Sequence, residues 1–352
     1  MNQSALNYRI LSFDVLRIIA AFAVVMLHVS AGRFENCFPS YEWEITNIYA
    51  SIVRWGVPIF VMISGALFLN HDKKISIKKL YTKNLFRIIY IFIFWSLCYA
   101  LCDSIINNSF NLLDIIRLTL KGPIHLWFLK MLIGLYIAVP ILRAVTQEKR
   151  LEEYFILIAI LTAFIIPMLI TAIGLFDEKV GESVQKYYDV FRIRIASDYV
   201  GFFVLGHYLY NYQLSNVLKR FIFLMALLSA ILVILLTHWH SHYIGEPSEV
   251  FYHTSHNLFI LFESMAIFLI INQMKVPLNY SSIIVRLSNL TLGVYLIHML
   301  LYRMAYYIFG INTLSSFNPY FFIPCYSLII FAASCLVVFL LKKIPIIKKF
   351  IM

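Results

Sequence analysis

An arginine and a histidine lie inside the first long apolar stretch of this chain, LSFDVLRIIAAFAVVMLHVSA, at Arg17 and His28. An ionisable side chain at membrane depth is costly unless it is paired or faces a wet cavity, so each one is a candidate functional residue. A helix rises about 1.5 Å per residue, which separates the two by roughly 16 Å, about half of a hydrocarbon core. The spacing predicts an anion contact near one membrane face and proton transfer nearer the other.

Further ionisable residues lie in or beside later apolar stretches, and they include Arg87, His125 and His298. A guanidinium is always charged and binds phosphate through paired hydrogen bonds. An imidazole titrates near neutral pH and can take a proton from a hydroxyl group. Together these residue types predict an anionic ligand held by the arginines and a proton transfer carried out by the histidines.

Each of these residues also has a structural interpretation, which the sequence leaves open. Arg17 would form an ion pair with Asp14, three residues earlier on the same helical face. Arg87 would extend to the interface as a membrane anchor, and the histidines would form helix–helix hydrogen bonds or lie at the interface. Glu263 is a carboxylate in another apolar stretch, and it could pair with a histidine or line a cavity.

The elements that position these residues must be membrane helices. Hydrophobic residues make up 61% of the 352 residues and charged ones 13%, about half the charged share of a soluble domain. Repeated apolar stretches of about 20 residues form helices in lipid, because the backbone amides find partners only within the segment. We therefore predict an all-α polytopic membrane protein, a single domain over residues 1–352, with about ten transmembrane helices at 11–31, 48–69, 84–103, 125–145, 153–175, 197–211, 217–237, 251–272, 284–308 and 320–341.

The orientation follows from the basic residues, which concentrate in alternate connections such as the segment HDKKISIKKLYTKNLFR. Cytoplasmic loops carry such an excess, so both termini are predicted to be cytoplasmic and the mixed-charge loop 176–196 to lie outside. Asp14, Arg17 and Arg87 then share the inner half of the membrane, and the three histidines share the outer half. We attribute the net charge of +11 to this orientation and not to nucleic-acid binding, and we expect a multi-pass protein of a bacterial inner (cytoplasmic) membrane.

A second group of histidines forms the run HWHSH, with His238, His240 and His242, and His253 and His256 follow it. Histidine clusters of this kind are typical of metal sites. The run is predicted to lie in an outer loop, and the sequence shows no carboxylate–histidine spacing that fixes a coordination geometry. No metal is therefore expected.

Four motifs occur in order along the chain: FDVLRIIAAFAVVMLH, RWGVPIFVMISGALF, HLWFLKMLIGLY and SNLTLGVYLIHMLLYR. With the basic segment between the second and third, they resemble membrane acyltransferases of the acyltransferase-3 group, ten-helix proteins that modify cell-surface glycans. The chain is most similar to the branch that contains the enterobacterial common antigen O-acetyltransferase. The resemblance covers nearly the whole chain, and its first motif carries the Arg-x10-His signature of the group.

The resemblance implies an O-acyltransferase, most simply an O-acetyltransferase that uses acetyl-CoA. The donor would be a cytoplasmic acyl-CoA, and the acceptor a hydroxyl of a cell-surface glycan or lipid-linked sugar beside the membrane lipid. Carried over by position, His28 is the general base, and Arg17 and Arg87 contact the CoA phosphates, with Asp14 beside them. His298 or His125 would steady the developing oxyanion.

Several points stay open at this level. The acyl group could be acetyl or succinyl, and transfer could be direct or pass through an acyl-histidine. The acceptor and any homo-oligomer cannot be read from the sequence.

The chain departs from the group at one point. Many larger members have a glutamate a few residues after the tryptophan of the His-x-Trp motif, but here Trp127 is followed by FLKMLIG, with no carboxylate. His28 must then act alone, or with His125, His298 or Glu263.

Two other classes of protein fit the same residues. A transporter or exporter of a glycan or small anion would use the intramembrane polar residues to line a pathway. A non-catalytic membrane partner in an envelope assembly would bind no CoA.

Overall fold

The computed structural model describes residues 10–72, 76–191, 199–248, 251, 257–274, 280–310 and 318–351. Within these residues every regular element is a helix. The longer helices, numbered in chain order, are α1 (Leu11–Asn36), α2 (Tyr41–Ser51), α3 (Gly56–Phe68), α4 (Phe86–Ile106), α5 (Leu112–Lys121), α6 (Trp127–Val145), α7 (Lys149–Ala159), α8 (Ile166–Phe176), α9 (Glu178–Phe191), α10 (Val200–Asn211), α11 (Asn216–Ile244), α12 (Leu258–Gln273), α13 (Ser281–Ser288), α14 (Thr291–Phe309) and α15 (Pro319–Leu341).

The predicted all-helical architecture, with several helices able to cross a membrane, is confirmed for the residues that the structure describes. Seven helical segments are long and apolar enough to cross a membrane, and the pair formed by α13 and α14, bent by 53°, would be an eighth. Helices α10 and α12 are shorter, with 12 and 16 residues. Each of the ten predicted spans overlaps a helix, but the count of ten and the cytoplasmic position of both termini stay predictions.

Three segments that the sequence assigns to loops are helical in the structure. The basic segment before α4 forms a short α-turn, Ile77–Lys79, and a π-helical turn, Leu80–Leu85. The predicted loop 176–196 contains α9, and the HWHSH run forms the last turns of α11. Hydropathy misses such segments because lysine, glutamate and histidine are compatible with helices that have one polar face. Lys73 and Lys74 of the basic segment, and His253 and His256, lie outside the described residues.

Helix α1 lies at the centre of the bundle and contacts α2, α3, α12, α13, α14 and α15. Small and branched side chains, including Ala20, Ala23 and Val24, are buried along it. Such residues let neighbouring helices approach closely, which is how membrane helices associate without a hydrophobic driving force. The packing therefore fixes the position and rotation of the helix that carries Arg17 and His28.

Hydrogen bonds identify which helix ends lie together. At one end of the bundle, Ser288 donates to the carboxylate of Asp14 (2.6 Å), and Lys342 donates to the carbonyl of Asn289 (2.5 Å). We call this the arginine end, because Arg17 lies there beside Asp14. The opposite end, which we call the histidine end, holds the last turns of α1 and α11 and the first turn of α15. The start of α1 and the end of α15 thus lie at the same end of the bundle.

Helices α3 and α10 pack with their backbones almost in contact. A Cβ atom added at Gly206 would lie 2.1 Å from the carbonyl oxygen of Met62, and one added at Gly65 would lie 1.7 Å from that of Phe203. Backbone atoms cannot move aside as a flexible side chain can. Glycine is therefore required at both positions if the two helices are to keep this distance.

We expect Gly206→Ala to destabilise the protein by about 1–3 kcal/mol, because the helices must separate to admit the methyl group. The measurement is the melting temperature of the purified protein in detergent. Gly134→Ala in α6 is the matched control, since a Cβ there meets nothing within 4 Å. Equal melting temperatures for the two variants would contradict the close packing of α3 and α10.

Candidate functional site

Three histidines that are distant in sequence come together inside the bundle. His28 lies on α1, His125 in a 3-10 turn just before α6, and His298 on α14. The ring centroids are 5.2 Å apart for His28 and His298, 5.8 Å for His125 and His298, and 6.3 Å for His28 and His125. His125 and His298 are buried, whereas His28 is half-buried. The sequence placed these residues at one depth, and the structure makes them neighbours.

The backbone of α14 sets the protonation pattern of His298. Its Nδ1 lies 2.8 Å from the carbonyl oxygen of Tyr295 and 3.1 Å from that of Val294. Because a carbonyl only accepts, Nδ1 must carry the hydrogen, and Nε2 is left with a lone pair. Nε2 of His298 and Nε2 of His125 are buried and make no hydrogen bond within the part of the chain that the structure describes. The cluster thus holds at least one imidazole nitrogen that can accept a proton.

Two tyrosines hold the cluster in place. The Tyr295 hydroxyl donates to the carbonyl oxygen of His125 (2.5 Å). The Tyr99 hydroxyl donates to the carbonyl of Leu296 and accepts from the backbone amide of Leu300, both at 3.0 Å, while its ring packs 4.7 Å from that of His125. These bonds tie α4 and α14 to the turn that carries His125. Neither tyrosine can be singled out from the sequence, because in an apolar segment both resemble ordinary packing residues.

Two arginines lie near the cluster. Arg54, in the connection between α2 and α3, is near His28. Arg303 is near His125 and is itself hydrogen-bonded to Asp103. A fixed positive charge next to a reaction centre stabilises negative charge that develops there. Arg54 was not predicted as a site residue, although its position between two apolar stretches, at the start of RWGVPIF, is a signal that the sequence offers.

At the arginine end, Arg17 forms the predicted ion pair and also faces a cavity. Its guanidinium forms an ion pair with Asp14 at 3.1 Å, as the structural interpretation expects. Asp14 is fully buried. Its carboxylate therefore orients the guanidinium of Arg17 and does not itself reach a ligand in the cavity. The side chain of Arg17 is 29% exposed, and it lines a cavity.

This cavity, of about 320 Å³, extends from the arginines to Tyr295. Arg17 and Arg87 line it at one end, Tyr136 and Phe128 line its wall, and Tyr295 lies beside the histidine cluster. Tyr295 therefore belongs both to the cavity wall and, through its bond to His125, to the frame of the cluster. We call this space the central cavity.

Arg87 lies where three cavities meet. Besides the central cavity it lines an open cavity of about 670 Å³ with Arg286, Lys342 and Lys343, and another of about 800 Å³ with Lys83 and Lys349. These cationic side chains give the arginine end the character of a binding surface for a multiply charged anion. The snorkelling interpretation of Arg87 is compatible with this position, since the side chain is exposed.

A separate polar cavity of about 390 Å³ lies at the histidine end, between α4 and α5. Carboxylates, hydroxyls, an amide and basic groups line it, from Asp103, Ser104, Asn107, Ser109, Asp114, Arg117 and Lys121. Such a mixture of hydrogen-bond donors and acceptors matches a polyhydroxyl ligand. Asp103 lies one helical turn beyond Tyr99, which contacts His125.

Glu263 makes no contact with the histidine cluster through its carboxylate in the described part of the chain. It is buried on α12, and neither carboxylate oxygen makes a hydrogen bond in the described part of the chain. No hydrogen bond or ion pair joins it to His28 among those residues. Among the residues that the structure describes, no carboxylate is hydrogen-bonded or ion-paired to His28, His125 or His298.

A family model described as an acyltransferase domain matches residues 10–342 of the chain. Searches of curated proteins and of solved structures find no match. The matched region includes every helix that carries the histidine cluster, the central cavity and the polar cavity.

Proposed function

This chain belongs to the acyltransferase-3 family, and from that premise we propose that it is an O-acyltransferase that joins a donor from one side of a membrane to an acceptor from the other. The donor is an acyl-CoA, taken as acetyl-CoA, and the acceptor is a hydroxyl of a cell-surface glycan or lipid-linked sugar. The protein would reside in a bacterial inner membrane, with the arginine end facing the cytoplasm.

One observation carries the proposal: the central cavity extends from two arginines to a tyrosine that is bonded to the histidine cluster. A donor with a phosphate-rich head and a reactive group at the end of a narrow arm fits such a space. The head would contact Arg87, Arg17 and the neighbouring basic residues, because guanidinium groups bind phosphates in pairs. The thioester would lie near Tyr295, within reach of the histidines.

The proposed reaction is a direct acyl transfer with His28 as general base. His28 takes the proton from the acceptor hydroxyl while the hydroxyl oxygen forms a bond to the thioester carbonyl carbon. The carbon–sulfur bond then breaks, the CoA thiolate leaves, and the imidazolium returns the proton to sulfur. The products are the O-acylated sugar and free CoA.

Two groups would support this step. Arg54, which lies near His28, would stabilise the negative charge that develops on the carbonyl oxygen. His298, with its hydrogen held at Nδ1 by backbone carbonyls, offers Nε2 as a second proton acceptor in contact with His28. In this proposal His28 and His298, both neutral before the reaction, take the place of the histidine–glutamate pair of the larger family members.

The acceptor is proposed to bind at the histidine end, in the polar cavity between α4 and α5. The resemblance to the enterobacterial common antigen branch favours an acetyl group and a surface glycan. Both of these choices rest on the motifs and not on the geometry.

Mass analysis of surface glycans from cells with and without the gene tests the function. We expect the mass of one acyl group per modified hydroxyl to disappear from the glycan in the deletion strain and to return on complementation. A glycan of unchanged mass and unchanged amount in both strains would contradict the proposal.

A further inference from the structure

A second cluster of histidines lies at the surface of the histidine end, away from the candidate active site. His238 and His242 are four residues apart on α11, so they project from one face of the helix. Glu44, in the first turn of α2, meets both of them. Its carboxylate oxygens lie 2.9 Å from Nδ1 of His238, and Oε1 lies 3.0 Å from Nε2 of His242.

The three residues have the composition and spacing of a metal site. Their ligand atoms all lie within 4.8 Å of one another. Ligand atoms around a tetrahedral Zn²⁺, at 2.0–2.1 Å from the ion, are about 3.3 Å apart. The two Glu44–histidine separations, 2.9 and 3.0 Å, need to open by only a few tenths of an ångström, and the two imidazole nitrogens lie within 4.8 Å of each other.

The ligand set also indicates which metal would bind. Two imidazole nitrogens and one carboxylate oxygen suit Zn²⁺ and neighbouring transition ions, whereas Mg²⁺ and Ca²⁺ require oxygen ligands. The side chains are 47%, 43% and 35% exposed for His238, His242 and Glu44, so an ion can reach them from solvent. A water molecule would complete a four-coordinate site of this kind.

The surroundings hold the cluster together without a metal. The ring of His242 packs 5.1 Å from that of Phe38 and 6.0 Å from that of Trp43. Nearby, the side-chain amide of Asn47 donates to the carbonyl of Ile234, which joins α2 to α11 a second time. The ligands are therefore presented by two helices whose relative position is already fixed, which lowers the cost of binding.

We propose that Glu44, His238 and His242 form a binding site for Zn²⁺ or a similar transition-metal ion that clamps α2 to α11 at the histidine end. The site is separate from the acyl-transfer residues and does not depend on the proposed function. The ion would take the place of the protons shared between each imidazole and the carboxylate.

The test uses the full chain purified in detergent through a tag that contains no histidine. After treatment with a chelator, the protein is dialysed against micromolar ZnCl₂, and bound zinc is measured by elemental mass spectrometry. We expect a single zinc ion per chain and a melting temperature raised by a few degrees. Glu44→Gln and the double variant His238→Ala/His242→Ala should lose both effects.

Glu42→Gln is the matched control, because this exposed carboxylate lies on the same helix two residues earlier. It should retain zinc like the unmodified protein. Melting temperatures measured in chelator show whether each variant is folded. Glu44→Gln keeps the size of the side chain, so a loss of zinc binding by this variant reflects the loss of the carboxylate. Equal zinc retention by the unmodified protein and the double variant, or an equal shift with MgCl₂, would overturn the proposal.

Discussion

Replacing His28 with alanine is expected to reduce acyl transfer by about 10²–10⁴-fold, the usual contribution of a general base. His28 is the half-buried member of the histidine cluster, and it contacts both of the others. Removal of its ring leaves the arginines and the central cavity in place, so the donor should still bind. The measurement is transfer of labelled acetyl from acetyl-CoA to surface glycan, with donor binding followed by thermal shift.

His71→Ala serves as the control, because it removes an exposed histidine at the arginine end, where His71 is hydrogen-bonded to Thr146. This variant should transfer acetyl at the normal rate. If His28→Ala also labels glycan at the normal rate, the enzymatic mechanism is wrong. If glycan export stops while acylation of the remaining glycan continues, the transporter interpretation is favoured instead.

The shared depth of the histidines could be predicted, because it depends only on helix rise and on the asymmetry of basic residues. His28, His125 and His298 were assigned to one half of the membrane on that basis. Their contact could not be predicted, since it depends on how three distant segments pack. The bends that bring them together, at the 3-10 turn before α6 and at the 53° angle between α13 and α14, leave no clear mark in hydropathy.

The two interpretations of Arg17 also differ in how far they can be predicted from the sequence. Spacing alone predicted the pair with Asp14, because residues three apart share a helical face. Whether Arg17 also faces a cavity depends on the helices that pack around it. In the structure it lies on the wall of the central cavity. A helix-local contact can be read from a sequence, whereas a cavity belongs to the whole bundle.

Polar helices were the main source of error in the fold. The HWHSH run was assigned to a loop, and its histidines therefore had no common face. On α11, His238 and His242 align, and Glu44 reaches them from a helix about 200 residues earlier in the chain. No spacing in the sequence pairs Glu44 with these histidines, because only the tertiary structure brings its carboxylate to them.

Replacing Arg87 with alanine is expected to raise the KM for acyl-CoA by about 10- to 100-fold with little change in kcat. A hydrogen bond to a charged group contributes about 1.5–3 kcal/mol, and each 1.4 kcal/mol is about tenfold in affinity. Arg87 lines three cavities at the arginine end and lies far from the histidine cluster, so its loss should weaken binding equally in the ground and transition states. The measurement is the initial rate of CoA release at increasing acyl-CoA concentration.

Arg220→Ala is the matched control, because Arg220 is an exposed arginine at the same end of the bundle, on α11, and it is not part of the walls of these cavities. The variant removes the same charge and should leave the KM nearly unchanged. A similar rise in KM for both variants would mean that the donor responds to the overall positive charge of this face, and the specific contact would be excluded. If kcat falls for Arg87→Ala while KM is constant, Arg87 acts on the transition state and the donor head must bind elsewhere. Added salt separates these cases further, since a dispersed electrostatic attraction is screened within about 10 Å at 0.1 M ionic strength, whereas a direct guanidinium–phosphate contact is screened much less.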